Sequence, residues 1–129
     1  MARVQRFEDL IAWQKGRKLT QKVYQFTRRG GWARDFGLSS QIQRSAISVM
    51  SNLAEGFERN RRGEFHRYLS TAKPSCAEVR SQLYVALNAG YVTVEEFEAL
   101  LADAEEVGRI IGGLRASVQK AAITEGAKH

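Results

Sequence analysis

The chain has 129 residues and a mass of 14.5 kDa, room for one domain but not for two ordinary ones. Apolar residues make up 43%, enough for a real core, while short apolar runs and a single cysteine exclude a membrane-spanning helix, an intrachain disulfide and a multi-cysteine zinc site. The net charge of +6 is uneven, because residues 1–80 carry 16 Lys/Arg against 7 Asp/Glu and residues 81–129 carry 4 against 7.

A single proline and many Ala, Leu, Glu, Arg and Gln residues favour long helices. No apolar signal-peptide core follows Met1-Ala2-Arg3-Val4-Gln5-Arg6. The expectation is an all-α, cytoplasmic, single-domain protein covering residues 1–129, with no membrane contact. The hydrophobic pattern predicts four helices, over about 8–29, 39–57, 64–90 and 94–120, with a loose tail over 121–129.

In the first helix Ala12, Leu19, Val23 and Phe26 form one stripe, and Gly30-Gly31 ends it. Ser39 or Ser40 is the expected N-cap of the second helix. Its stripe runs through Ile42, Ala46, Val49, Leu53 and Phe57, and its small polar residues invite close helix contact. The polar stretch Glu58 to Gly63 reads as a connector.

The third helix carries a heptad seam through Phe65, Leu69, Ala72, Cys76, Val79, Leu83 and Ala86. Pro74 lies inside it and predicts a local kink or break. Thr93 and Glu96 have the spacing of a capping box for the fourth helix. Short connections make an antiparallel up-down bundle the natural architecture. Trp13, Tyr24, Trp32 and Tyr84 do not all fit one central seam, and surplus apolar surface predicts self-association.

Catalysis finds little support. His66 reads as a solvent-facing helical side chain, and His129 is the last residue. Cys76 falls on the apolar seam and reads as a buried hydrophobe. No paired-histidine metal motif and no phosphate loop is present, so no catalytic residue, metal or cofactor is assigned.

The basic residues show more order. Lys15, Lys18, Lys22 and Arg29 cluster on one side of the first helix, and the helical projection sets them opposite the apolar stripe. On that projection replacement of Lys15, Lys18 and Lys22 by glutamate leaves the fold intact. Arg59, Arg61, Arg62 and Arg67 surround the second connector. A row of cations suits a phosphate backbone. No aromatic platform accompanies these cations in the sequence, so little base preference is expected.

Two segments carry a resemblance: Phe7-Glu8-Asp9-Leu10-Ile11-Ala12-Trp13-Gln14-Lys15, and Gly37 through Gly56 with its Ser51-Asn52-Leu53-Ala54-Glu55-Gly56 end. With Phe65, Tyr68-Leu69, Ala72-Lys73 and Glu78, they resemble the bacterial 23S ribosomal RNA intervening-sequence proteins over about residues 7 to 118. The resemblance implies a four-helix bundle assembled as a ring of five subunits. It also implies kinship with accessory variability determinant proteins, which bind RNA and a reverse transcriptase. Val49-Met50 and Pro74 depart from the family pattern.

The expected function is therefore non-enzymatic: a homo-oligomeric, basic bundle that contacts RNA. The alternative is an adaptor that docks a reverse transcriptase or another protein. Asn52, Glu55 and Gly56 are expected to be structural, fixing helix register through bonds to a neighbouring helix or its end.

Overall fold

The computed structural model describes residues 4–127. A 3-10 turn at Phe7–Asp9 leads into five α-helices: α1 (Ile11–Thr27), α2 (Gly30–Arg34), α3 (Phe36–Glu58), α4 (Arg62–Asn88) and α5 (Val94–Ala127). The described residues include no strand. Each of the four long helices packs on two others: α1 on α3 and α5, and α4 on α3 and α5. The result is a helical bundle around one continuous core. Leu19, Ile42, Leu53, Leu69, Leu83 and Ile111 are among its fully buried side chains.

Several boundaries differ from the sequence expectation, each for a local reason. The first helix starts at Ile11 and not near residue 8, because residues 7–9 form the tighter turn, tied on by Gln14 Nε2 donating to the Glu8 carbonyl at 2.9 Å. Helix α1 stops at Thr27 with Arg28 as its C-cap, before the glycine pair expected to end it, and Gly30, at a left-handed φ of +47°, instead opens the short α2. That extra turn buries Trp32 completely and stacks it on Tyr91 at 5.9 Å.

Asp35, not Ser39 or Ser40, caps α3. Its Oδ1 accepts from the Leu38 amide at 3.1 Å, and its Oδ2 accepts from the Tyr91 hydroxyl at 2.9 Å. One carboxylate thus starts α3 and anchors the α4–α5 connection. Ser39 is buried inside the first turns of the helix instead.

The connector between α3 and α4 shrinks to three residues, with Asn60 in the left-handed region at φ 56°. Helix α4 runs unbroken through Pro74, so the expected break is absent. The ring lies on an exposed side of the helix and forfeits one backbone bond there without entering the core. Gly90 ends α4 at φ +79° in a Schellman arrangement: the Tyr91 amide reaches the Ala86 carbonyl at 2.9 Å, and the Gly90 amide reaches Leu87 at 3.0 Å.

The capping box forms as the spacing requires, with Glu96 N to Thr93 Oγ1 at 3.1 Å and Thr93 N to Glu96 Oε1 at 2.9 Å. Helix α5 then continues past the expected end at 120, as far as Ala127, so residues 121–127 are helical. His129 lies outside the described residues.

Small residues set the closest helix approaches. A Cβ on Gly56 would sit 2.6 Å from Tyr68 Cβ and 3.2 Å from Phe65 Cδ1, so α3 and α4 touch through this missing side chain. On the other side of α3, Gly16 of α1 lies against Met50 and Val49. Gly56→Ala is therefore expected to force the α3–α4 pair apart and cost ~1–3 kcal/mol, the usual penalty of overpacking. Urea unfolding of the variant beside the wild type measures it; an unchanged midpoint would show that the contact yields freely.

Candidate nucleic-acid interface

The cations of α1 do not stand free. Lys15 Nζ lies 2.7 Å from Glu106, Lys22 Nζ lies 2.6 Å from Asp103, and Arg29 grips Glu96 with two bonds of 2.8 and 3.1 Å. The partners descend along α5 as the cations ascend α1. The stripe expected opposite the apolar face instead lies along the α1–α5 seam. Glutamate at Lys15 or Lys22 would face like charge there, which overturns the expectation of a harmless reversal. Of the four, Lys18 alone has no carboxylate within 4 Å among the described residues.

The pairing shows in the acid–base behaviour. Glu106 holds the Lys15 ammonium above its ordinary range, and Lys15 holds the Glu106 carboxyl below its own. Arg29 does most to pull Glu96 down to about 2, helped by the Thr93 amide. Arg29 also lies over the Phe26 ring at 4.2 Å.

The arginine cluster at the α3–α4 connection is only partly available. Arg59 bonds Glu55 Oε1 at 3.2 Å and the Tyr68 hydroxyl at 2.9 Å, and lies 3.9 Å from Glu64. Arg67 lies 4.0 Å from Glu64 and over the Tyr68 ring at 5.1 Å. Arg61 and Arg62 are exposed at the start of α4, and Arg62 is also held by an interaction within the protein.

The signature residues sit beside this cluster. Glu55 Oε1 accepts from Tyr68 at 3.1 Å and so links α3 to α4. Asn52 does not cross between helices. Its Nδ2 donates to the Ser48 carbonyl at 2.8 Å and to Ser48 Oγ at 3.1 Å, within α3. The crossing belongs to Ser48, whose hydroxyl meets Ser75 of α4 at 2.9 Å. A short amide side chain four residues on finds its own turn before it finds a neighbour.

The sequence reading missed a further basic site. Lys73 and Arg80 of α4 face Arg109 and Arg115 of α5 across two adjoining shallow grooves, with Glu105 as the one carboxylate in their lining. Gly112 makes room for the Lys73 stem, whose Cε would lie 3.2 Å from a Cβ there. Arg115 Nε donates to Ser70 Oγ at 2.7 Å. None of the four cations has a carboxylate within 4 Å among the described residues. Charge counting by halves hid this site, since two of its members belong to the acidic half. The signal present was the heptad spacing of Lys73 and Arg80, three residues before and four residues after the seam residue Cys76.

Cys76 itself is buried, and desolvation pushes its thiol up to about 11, as the apolar seam implied. His66 is not the solvent-facing side chain expected: its Nε2 is buried without a hydrogen-bond partner. Among the described residues no group of three or more His, Cys, Asp or Glu is placed to hold a metal ion, and no helix is long and apolar enough to cross a membrane.

The Arg29–Glu96 pair sets a pH dependence. A carboxyl lowered from 4.5 to about 2 on folding adds stability above pH 4.5, which is lost as pH falls towards 2. Glu96→Gln should therefore unfold at lower urea than wild type at pH 6, with the gap narrowing at pH 2. A gap of equal size at both values would show that the pair contributes nothing through its charge.

The 23S rRNA-intervening sequence protein family model matches residues 8–113. The solved structure of a protein of unknown function from the S23 ribosomal protein family of Bacteroides thetaiotaomicron has the same fold, with a TM-score of 0.76 and 22% identity. The match covers 84% of this chain and 98% of that one. No curated protein matches. With most of its length matched and its helices superimposed, the chain belongs to the 23S rRNA-intervening sequence protein family.

Proposed function

We propose that this protein is a non-enzymatic, basic helical bundle that binds the phosphate backbone of RNA. The observation that carries the reading is the α4–α5 groove, where Lys73, Arg80, Arg109 and Arg115 converge with one carboxylate among them. On the α1 side, ion pairs with α5 engage three of the cations, Lys15, Lys22 and Arg29. Four cations gathered along one groove are the arrangement that releases counterions on contact with a phosphate chain. Arginine forks suit phosphate oxygens.

The four long helices are proposed to run alternately up and down. Descending partner order supports this at each neighbouring pair: Gly16–Met50 to Thr27–Gln43 between α1 and α3, Lys15–Glu106 to Arg29–Glu96 between α1 and α5, Ser48–Ser75 and Glu55–Tyr68 between α3 and α4, and Ser70–Arg115 with Lys73–Gly112 between α4 and α5. Copies are proposed to assemble as a ring, best a pentamer. Exposed Phe36 (78%), Ile11, Tyr84, Val85 and Val94 support self-association. Each subunit then offers a few phosphate contacts, and repetition raises effective concentration.

Two measurements test the reading. Light scattering is expected to give a mass several times 14.5 kDa, near five times for the ring; a monomer at micromolar concentration would remove the assembly. In RNA titrations, Arg80→Gln with Arg109→Gln should weaken binding by tenfold or more at low salt and reduce the salt slope by about 2. Lys15→Gln with Lys22→Gln should shift affinity far less, because those cations are already paired. The reverse ranking would move the interface to α1. No binding by wild type at low salt would favour the docking of a protein such as a reverse transcriptase instead.

A further inference from the structure

A second groove follows the outer face of α1. Trp13, Gln14, Arg17, Lys18 and Gln21 line it from the helix, and Glu8 closes one end from the preceding turn. Residues at these spacings share one helical face, and together they hold three kinds of chemistry. Trp13 supplies a flat ring that is partly exposed and fixed in place, since it packs on the core and meets the Phe7 ring edge-on at 5.2 Å. Arg17 and Lys18 supply exposed cations. Gln14 and Gln21 supply amides that both donate and accept.

Arg17 is placed unlike Arg29, which lies just beyond the end of α1. Its guanidinium lies 6.0 Å above the Trp13 centroid, whereas Arg29 sits 4.2 Å above Phe26 with Glu96 holding its far side. Arg17 therefore leaves space over the indole and is tied to no carboxylate. Lys18, next along the groove, is likewise without one within 4 Å among the described residues. Glu8 is held at 2.7 Å by Arg6. A carboxylate there opposes a phosphate at that end but can accept from a base amino group or a ribose hydroxyl.

We infer that this groove binds a nucleotide of single-stranded RNA, with the base stacked on Trp13 and the flanking phosphates on Arg17 and Lys18. The inference rests on the RNA-binding reading above and adds base stacking to backbone contact. It departs from the sequence expectation that no aromatic platform accompanies the cations. Trp13 and Arg17 are one helical turn apart, and the 3-10 turn that props the indole with Phe7 creates the platform. Stacking on such a surface tolerates any base.

The test compares a short oligouridine with an abasic strand of equal length at one low salt concentration. Trp32 is fully buried, so quenching of tryptophan fluorescence reports Trp13. Oligouridine is expected to quench that fluorescence and to bind about tenfold more tightly than the abasic strand. Arg17→Gln, an exposed substitution, should weaken both strands alike and leave this preference standing, as loss of a phosphate contact requires. Trp13→Leu, confirmed folded by its melting curve, should abolish it. If that variant does not fold, quenching in the wild type and the Arg17→Gln comparison decide.

Equal affinity for both strands without quenching would overturn the stacking site and leave backbone binding standing. Binding of neither strand would overturn both readings.

Discussion

Three ion pairs between α1 and α5 decide how this protein presents its charge. Lys15, Lys22 and Arg29 recur every seven residues, and Glu96 and Asp103 share that spacing, so each cation finds an acid as the helices pass. Singly, exposed pairs of this kind stabilise little. Their larger effect is on the surface: they tie up the most regular basic row and leave Lys73, Arg80, Arg109 and Arg115 in the α4–α5 groove, and Arg17 and Lys18 in the α1 groove, without a carboxylate within 4 Å among the described residues.

The position of α5 that allows this pairing depends in turn on the helix ends. Gly90 reverses the chain after α4, the Thr93–Glu96 box starts α5, and Glu96 belongs both to that box and to the Arg29 pair. One side chain thus sets where α5 begins and which face it turns to α1. Asp35 plays the same double part at the other end of α2, capping α3 while it accepts from Tyr91. Small residues complete the frame. Gly56 lets α3 meet Tyr68 and Phe65 directly, and Ser48 and Ser75 close a hydroxyl contact between the same helices. Of the signature residues, Gly56 and Glu55 lie at this interface, Glu55 bonded to both Tyr68 and Arg59, while Asn52 bonds within α3.

The two basic grooves differ in what they can recognise. The α4–α5 groove has cations and a buried thiol but no aromatic ring in its lining, so its chemistry suits phosphate alone. The α1 groove has fewer cations beside an indole, so its chemistry suits a base with its phosphates. Contacts of the first kind position a strand, and contacts of the second kind hold unpaired nucleotides.

The sequence by itself determined what depends on neighbours along one helix. The heptad seam of α4, the stripe of α1, the Thr93 capping box and the buried Cys76 all follow from spacing, because residues three, four and seven apart share a face whatever the helix later meets. Tertiary structure alone decided what depends on the opposite helix. Lys15 and Lys22 look solvent-facing until α5 brings Glu106 and Asp103 to them, and Arg109 looks isolated until α4 sets Arg80 beside it. Asp35 outcompeted Ser39 as a cap because Trp32 and Tyr91 needed the turn before it. Pro74 left α4 unbroken because packing held both flanks of the helix while the ring faced outward. Charge partners and caps are chosen by packing across helices, and one-dimensional spacing carries no record of which faces will meet.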